Sequence, residues 1–497
     1  METIGQYSTL ETLRSGLRGT AYAKGEEGYN EASRAWNLNA NQEPALVVMA
    51  EGAADVMAAV SFAREFGMGL GVMATGHGVG APCDGGVLVN TSRMRGVRVD
   101  PVARTARVEA GALWADVIPE ATAHGLAGLV GSSSHVGVVG YTMGGGFGWL
   151  GRRFGLNAAS VTEADIVTAD GELLRVSAEE HADLFWGLGG GGGNFGIVTS
   201  LEFRLYPVTA VYGGNAFYPV ERAGEVLELY ARWSRDLPEE MTTAVAFMNI
   251  PPLPDIPEPL RGGSFVVVRG CYSGANPEDG PEMFRPVREG LGDPVMDTFG
   301  VMPVAAMDAI SMDPVDPMGS VQHSEMLRDL SPGALAALLE VAGPGSGSPL
   351  IMLEIRQLGG ALARTPDRLS PMGGGEAGYI MNGVGVTFTP EMAEGVKGHI
   401  ARVTEATREH QTGEAYVNFM ERGAADEERV KAAYPPEDWE RSSPSRTATT
   451  PVTSFASTAT FLPQRRGGRG NRPGTTAGGS REVPGHRAAR RVEEQQR

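Results

Sequence analysis

The chain has 497 residues, 42% of them hydrophobic and 21% charged, a balance that describes a soluble globular protein long enough for two domains. A formal net charge of -18 argues against a nucleic-acid partner, and no apolar run reaches the roughly 20 residues that cross a bilayer. Two distant cysteines, Cys83 and Cys271, leave no disulfide framework and no multi-cysteine metal site. No metal is expected, and with no secretory signal visible at the start the cytoplasm is the expected compartment.

Glycine is the compositional anomaly: 70 residues of 497 is twice the usual share of about 7%. In chain order, 45–50 (ALVVMA) reads as a buried strand, and 53–67 as an amphipathic helix stopped by Gly67. An apolar strand then runs into ATGHG (74–78), and VLVN, VRVDP and ARVEAGAL follow as short strands. The helix WADVIPEATAHG leads into a dense glycine tract at 131–156. The segment 164–177 carries an Asp-Gly turn and predicts a β-hairpin. The segment 183–208 alternates after a second run of glycines and closes the unit.

Composition changes beyond this point. In 209–407, helical stretches such as 224–237 and 332–343 alternate with the strand-like SFVVVRGCY and PLIMLEIRQL, which predicts a second α+β domain. The segment 414–420 (EAYVNFM) is strand-like again, and DEERVKAAYPPEDWE is helix-like. From Ser442 onward the chain is rich in Arg, Ser, Thr, Gly and Pro and lacks a hydrophobic period, as a disordered tail would.

Glycine turns beside strands let backbone N–H groups converge on an anion without a Cβ in the way. ATGHG, YTMGGGFG (141–148) and GGGGGNFG (189–196) are three such turns within 125 residues, and together they suggest a large phosphate-bearing cofactor. None is a Rossmann fingerprint or a Walker loop.

These segments, with GVLVNTSRMRGVRVDP and VTADGELLRVS between them, occur in the order and spacing of the FAD domain of berberine-bridge-enzyme-like oxidases. The chain resembles a bacterial-type member of that group, within the vanillyl-alcohol-oxidase (PCMH-type FAD-binding) superfamily, over about residues 8–441. The resemblance implies an α+β, two-domain fold with a substrate domain built on an antiparallel sheet covered by helices. It gives 1–207 as the FAD domain, 208–407 as the substrate domain and 408–441 as a return to the FAD domain. Residues 442–497 are left as a disordered or frameshifted tail. It implies FAD as cofactor, and a small-molecule substrate and molecular oxygen as partners.

By this resemblance His77, in a loop with Thr75, Gly76 and Gly78, lies where relatives attach the flavin; a backbone-bonded loop histidine is the other reading. Ser133 stands where many relatives make a second link through cysteine, so one covalent link at most is expected. Cys83 reads as an apolar filler. Val136, beside Gly137, matches a position governing oxygen access and favours an oxidase. Tyr141 matches a flavin contact, Gly144, Gly145 and Gly146 a close backbone approach, and Asn194 and Val198 the adenosine half. Tyr416 and Asn418 keep a Tyr-x-Asn pattern; Phe419 and Phe147 replace aromatic or basic residues common in relatives. Tyr416 is the first candidate for the catalytic base, with Tyr379 and Glu354 behind it, and ordinary packing is the alternative for each.

The resemblance implies hydride transfer from a sugar, alcohol or secondary metabolite to flavin N5, with peroxide formed from oxygen. A dehydrogenase using another acceptor, or an inactive flavin-binding remnant, are the rival readings. The family's terminal segment is missing after 441. Back-translating 442–463 and reading from one base earlier can give LVAVKDRYDPGDELRFNRNIP, which resembles that segment. A frameshift is therefore expected, and resequencing codons 436–465 tests it: codons incompatible with that peptide would dismiss the idea.

Overall fold

A computed structural model describes residues 9–78, 82–364, 372, 375–420 and 427–449. In the N-terminal part, Leu46–Met49 is a wholly buried strand. It pairs antiparallel with Thr20–Ala23 and parallel with Val87–Asn90, which in turn lies parallel to Leu70–Met73. Burial on both faces explains why this strand is uniformly apolar. The helix Ala53–Phe66 buries Val56, Ala59, Val60 and Ala63 in the same core as Leu46 and Val48. It ends at Gly67, whose φ of 63° is the left-handed stop the sequence predicts.

A five-stranded antiparallel sheet follows, in the spatial order Val97–Asp100, Thr105–Glu109, Ile197–Arg204, Val161–Val167, Leu173–Ser177. The last two form the expected hairpin around Asp170-Gly171. Between the second and third strands of this sheet in sequence, Thr105–Glu109 and Val161–Val167, the glycine-rich 131–156 stretch forms only short helices, Val138–Met143 and Gly151–Phe154.

Residues 210–386 build the large antiparallel sheet. Its main path runs Met296–Asp297, Ala210–Pro219, Ser264–Tyr272, Met241–Asn249, Met352–Gln357, Tyr379–Val386, Ser320–Leu327. Side chains alternate across it. Val266, Val268, Leu353, Ile355, Tyr379 and Met381 face a core shared with the helices Ala223–Trp233, Gly280–Leu291, Pro332–Ala342 and Pro390–Thr407. The opposite face turns towards the glycine loops of the N-terminal part. The observed architecture is thus the α+β fold expected, with an antiparallel sheet under helices. No helix among the described residues is long and apolar enough to cross a membrane.

Two segments depart from expectation. EAYVNFM is no strand: Val417–Phe419 is a single helical turn. Ala415 and Val417 pack on one side and Tyr416 on the other, so burial alternates as in a strand, but among the described residues no strand pairs with the segment and the chain turns at 417–419. Beyond it, the helix Pro436–Thr449 carries the chain past Ser442, whose Oγ donates to the Trp439 carbonyl. The rest of the proposed tail, 450–497, lies outside the described residues.

Candidate functional site

A cavity of about 330 Å³ opens between the glycine loops and the free face of the large sheet. Its volume is at the small end of small-molecule sites. The loop after Leu70–Met73 supplies Thr75, Gly76, His77 and Gly78; the 131–141 stretch supplies Ser133, Val136, Gly137, Gly140 and Tyr141. A Cβ on Gly140 would meet nothing within 4 Å, so that position opens onto free space rather than onto packed atoms.

His77 is held on two sides. Its Nδ1 is 2.8 Å from Thr75 Oγ1, and its ring stacks on Trp36 at 4.4 Å with 14° between planes. Trp36 is itself fixed, its Nε1 donating to the Val315 carbonyl at 2.8 Å. Burial, with nearby His135 adding to it, pushes the His77 pKa down to about 4, so the imidazole is neutral at physiological pH. A neutral ring keeps a nitrogen lone pair for bond formation.

The return segment closes one end. Tyr416 Oη accepts the Gly146 N–H at 3.1 Å and the Asn418 Nδ2 at 3.2 Å, while the same Asn418 nitrogen donates to the Tyr141 carbonyl at 2.8 Å. Burial lifts the Tyr416 pKa to about 12 against the pull of those donors. Gly144, Gly145 and Gly146 are not in the cavity lining; Gly144 makes room for this segment and Gly146 for the Tyr141 ring. A Cβ on Gly144 would come within 1.9 Å of Asn418 Oδ1, and one on Gly146 within 2.6 Å of the Tyr141 ring. Tyr141 donates its hydroxyl to the Leu129 carbonyl at 2.9 Å.

On the sheet wall, Glu354 lines the cavity but Tyr379 does not. Residue parity decides this: along Tyr379–Val386 the even positions Asn382, Val384 and Val386 face the cavity, and Tyr379 falls on the helix side. There its hydroxyl pairs with Ser234 Oγ at 2.8 Å. Tyr379 is therefore a core residue and not a candidate base. Glu354 has both oxygens engaged, Oε2 by Arg269 Nη1 at 3.0 Å and Oε1 by Arg356 Nε at 2.8 Å.

Asn194 and Val198 lie away from this cavity: the Asn194 amide donates to the Gly191 carbonyl, and Val198 sits in the N-terminal core. Cys83 is buried against Leu88 and Met73, its thiol pushed up to about 12 by burial, as a filler should be.

Three charged lining residues went unnoticed in the sequence, Arg269, Arg356 and Asp313, as did Trp36 under His77. Arg269 interrupts the apolar run FVVVRGC, and Arg356 stands two positions from Glu354 in LEIR, hence on the same face; isolated charges in buried strands were the available signal. Asp313 follows Met312, whose φ of 59° is unusual for a side chain of that size. The segment is clamped to the glycine loops through Asp308, which accepts the Ser134 N–H at 3.1 Å, and Ser311, which accepts Trp149 Nε1 at 2.9 Å. Burial raises the Asp313 pKa, with a hydrogen bond from Ser132 and the nearby arginines opposing it.

Residues 44–177 match a family model described as an FAD binding domain. An FAD-linked oxidoreductase of Dictyostelium discoideum is 31% identical over 312 residues, 62% of this chain and 66% of that protein. The match covers 54% and 53% of two further relatives, FAD-linked oxidoreductases of Aspergillus terreus and Bacillus subtilis, so the chain spans about half to two thirds of these curated relatives. Among solved structures, 6-hydroxy-D-nicotine oxidase from Arthrobacter nicotinovorans superposes with a TM-score of 0.75 at 21% identity, over 87% of this chain and 95% of that one. Together these findings place the chain among the FAD-linked oxidoreductases with a PCMH-type FAD-binding domain, and its fold is that of the solved 6-hydroxy-D-nicotine oxidase and berberine-bridge-enzyme-like structures.

Proposed function

We propose that this chain is an FAD-dependent oxidase that removes a hydride from a C–H bond of a small organic substrate, a sugar, alcohol or secondary metabolite. The observation that carries the reading is the single cavity wall shared by a neutral, stacked His77 and the glycine loops on one side and charged groups of the large sheet on the other. When bound, FAD would supply a hydride acceptor at N5 and a route for the electrons to oxygen, with hydrogen peroxide as the product.

The residues present fit that group. His77 holds a lone pair at its imidazole for a single covalent link, and Ser133, being a serine, makes no thioether. Val136 and Gly137 form the small-residue wall through which oxygen is admitted. Tyr416 holds its proton at Oη beside the cavity and takes part in proton transfer, positioned by Gly146 and Asn418. Asn194 and Val198 would serve the adenosine half, outside the described cavity.

The test is an absorbance spectrum of the purified full chain before and after acid precipitation, with peroxide assayed on turnover. Flavin bands in a yellow pellet are the expected result. Colour only in the supernatant would keep the flavoenzyme and remove the His77 link. A folded colourless protein would overturn the proposal.

A further inference from the structure

Arg269 is the most deeply buried cation of the cavity wall, about 1% exposed, and its hydrogen bonds are poorly matched to its charge. A guanidinium has five N–H donors in a planar fork and prefers paired oxygen acceptors. Here Nη1 has one carboxylate oxygen, from Glu354 at 3.0 Å, and a distant thioether, Met352 Sδ at 3.7 Å. Nη2 has Met248 Sδ at 3.1 Å, and Nε has no partner among the described residues. Thioether sulfur is a weak acceptor.

Glu354 does not belong to Arg269 alone. Its Oε1 takes Nε and Nη2 of Arg356 at 2.8 and 2.6 Å, while the Arg356 guanidinium lies 4.3 Å from the Trp149 ring centre. Two cations therefore share one carboxylate in direct contact. Asp313 is the remaining acid of this wall, and among the described residues it makes no ion pair with either arginine, whose pairs are with Glu354. A buried cation lacking a full counter-charge is costly, and a bound anion relieves that cost. The rest of the sheet wall is apolar or neutral: Met248, Ile351, Met352, Val384.

We propose that the substrate of this site is a small carboxylate with an apolar body, its carboxylate received by Arg269 and Arg356 in exchange for their weak and shared partners. The proposal rests on the reading of the cavity as the substrate site, and it is independent of whether the flavin is covalently held. A carboxylate suits the guanidinium fork through two parallel N–H···O bonds.

The experiment is calorimetric titration of the purified full chain with benzoate and with benzamide, its uncharged counterpart of similar shape. Benzoate is expected to bind at least tenfold tighter. Arg269→Met is expected to remove that preference while leaving benzamide binding in place, because Glu354 keeps Arg356 as its partner. Should that variant fail to fold, Arg269→Gln, which keeps a polar donor towards Glu354 but no charge, is expected to give the same loss. Absence of benzoate binding, equal binding of the two probes, or a preference that survives in the folded variant would overturn the proposal. A colourless protein that still prefers benzoate through Arg269 would refute the flavin reading alone; a yellow protein without the preference would refute this one alone.

Discussion

At His77 the decisive fact is protonation. Its pKa near 4 lies below the ordinary value of 6.5, so the unfolded chain binds a proton in that window and the folded one does not. Stability should therefore be full above about pH 6.5 and fall as pH drops towards 4, by on the order of 1 to 3 kcal/mol. Urea titrations at pH 7 and pH 5 check this, and His77→Ala should flatten the difference. In the proposed enzyme the same variant should move the yellow colour from pellet to supernatant. Tyr416 works in the opposite direction. With its pKa near 12, its ionised fraction rises about tenfold per pH unit across the neutral range. If it is the base, kcat/KM should climb with pH from 7 to 9, and Tyr416→Phe should lose that slope along with at least tenfold in kcat. A slope that survives in Tyr416→Phe assigns the proton to another group on the wall. Val136→Leu should slow reoxidation by oxygen at least tenfold with little change in flavin reduction, as read by stopped-flow absorbance.

Among elements, the glycine tract 144–146 and the return segment act as one unit. The sequence suggested backbone approach to a cofactor; the structure gives these glycines a second task, since a side chain at 144 would displace Asn418. Gly144→Ala should cost about 1–3 kcal/mol by overpacking, measured by denaturant unfolding, and should weaken whatever depends on Tyr416 and Asn418. Most regular elements were legible beforehand because each carries its own local period or stop: the helix ending at Gly67, the Asp170-Gly171 hairpin, the apolar strand holding Val47 and Val48. EAYVNFM was not, because Ala415 and Val417 bury on one side and Tyr416 on the other, a strand-like period, while the lack of a pairing strand among the described residues shows only in the fold. Tyr379 failed as a candidate for a simpler reason. In a strand, a shift of one residue exchanges core for cavity, and the correct register is not visible without the sheet.

Across the described residues, the cavity forms where the glycine loops meet the large sheet, a junction held by a shared core that packs Trp149 and Leu150 with Ala244, Cys271 and Ile310, and by polar anchors such as Asp308 on the Ser134 backbone, Arg152 on the Met241 carbonyl at 2.8 Å, and Trp36–Asn39 beside Met318–Ser320. The return segment is docked by Trp186, which packs with Val417, Val430 and Tyr434 and carries Arg441 over its ring at 4.0 Å. Trp186→Ala should cost about 3–5 kcal/mol and expose residues near 427–441 to limited proteolysis first. The sequence by itself determined the α+β class and a phosphate-bearing cofactor, because strand-then-glycine turns are local in the chain and can be recognised without the fold; the FAD-binding part and the loop that carries His77 came from the resemblance that the order and spacing of those turns carry. Only the tertiary structure decided which charges line the cavity. Arg269, Arg356 and Asp313 come from separate parts of the chain and meet through sheet pairing and a loop clamp, and which face of a strand is buried depends on pairing partners far away in sequence.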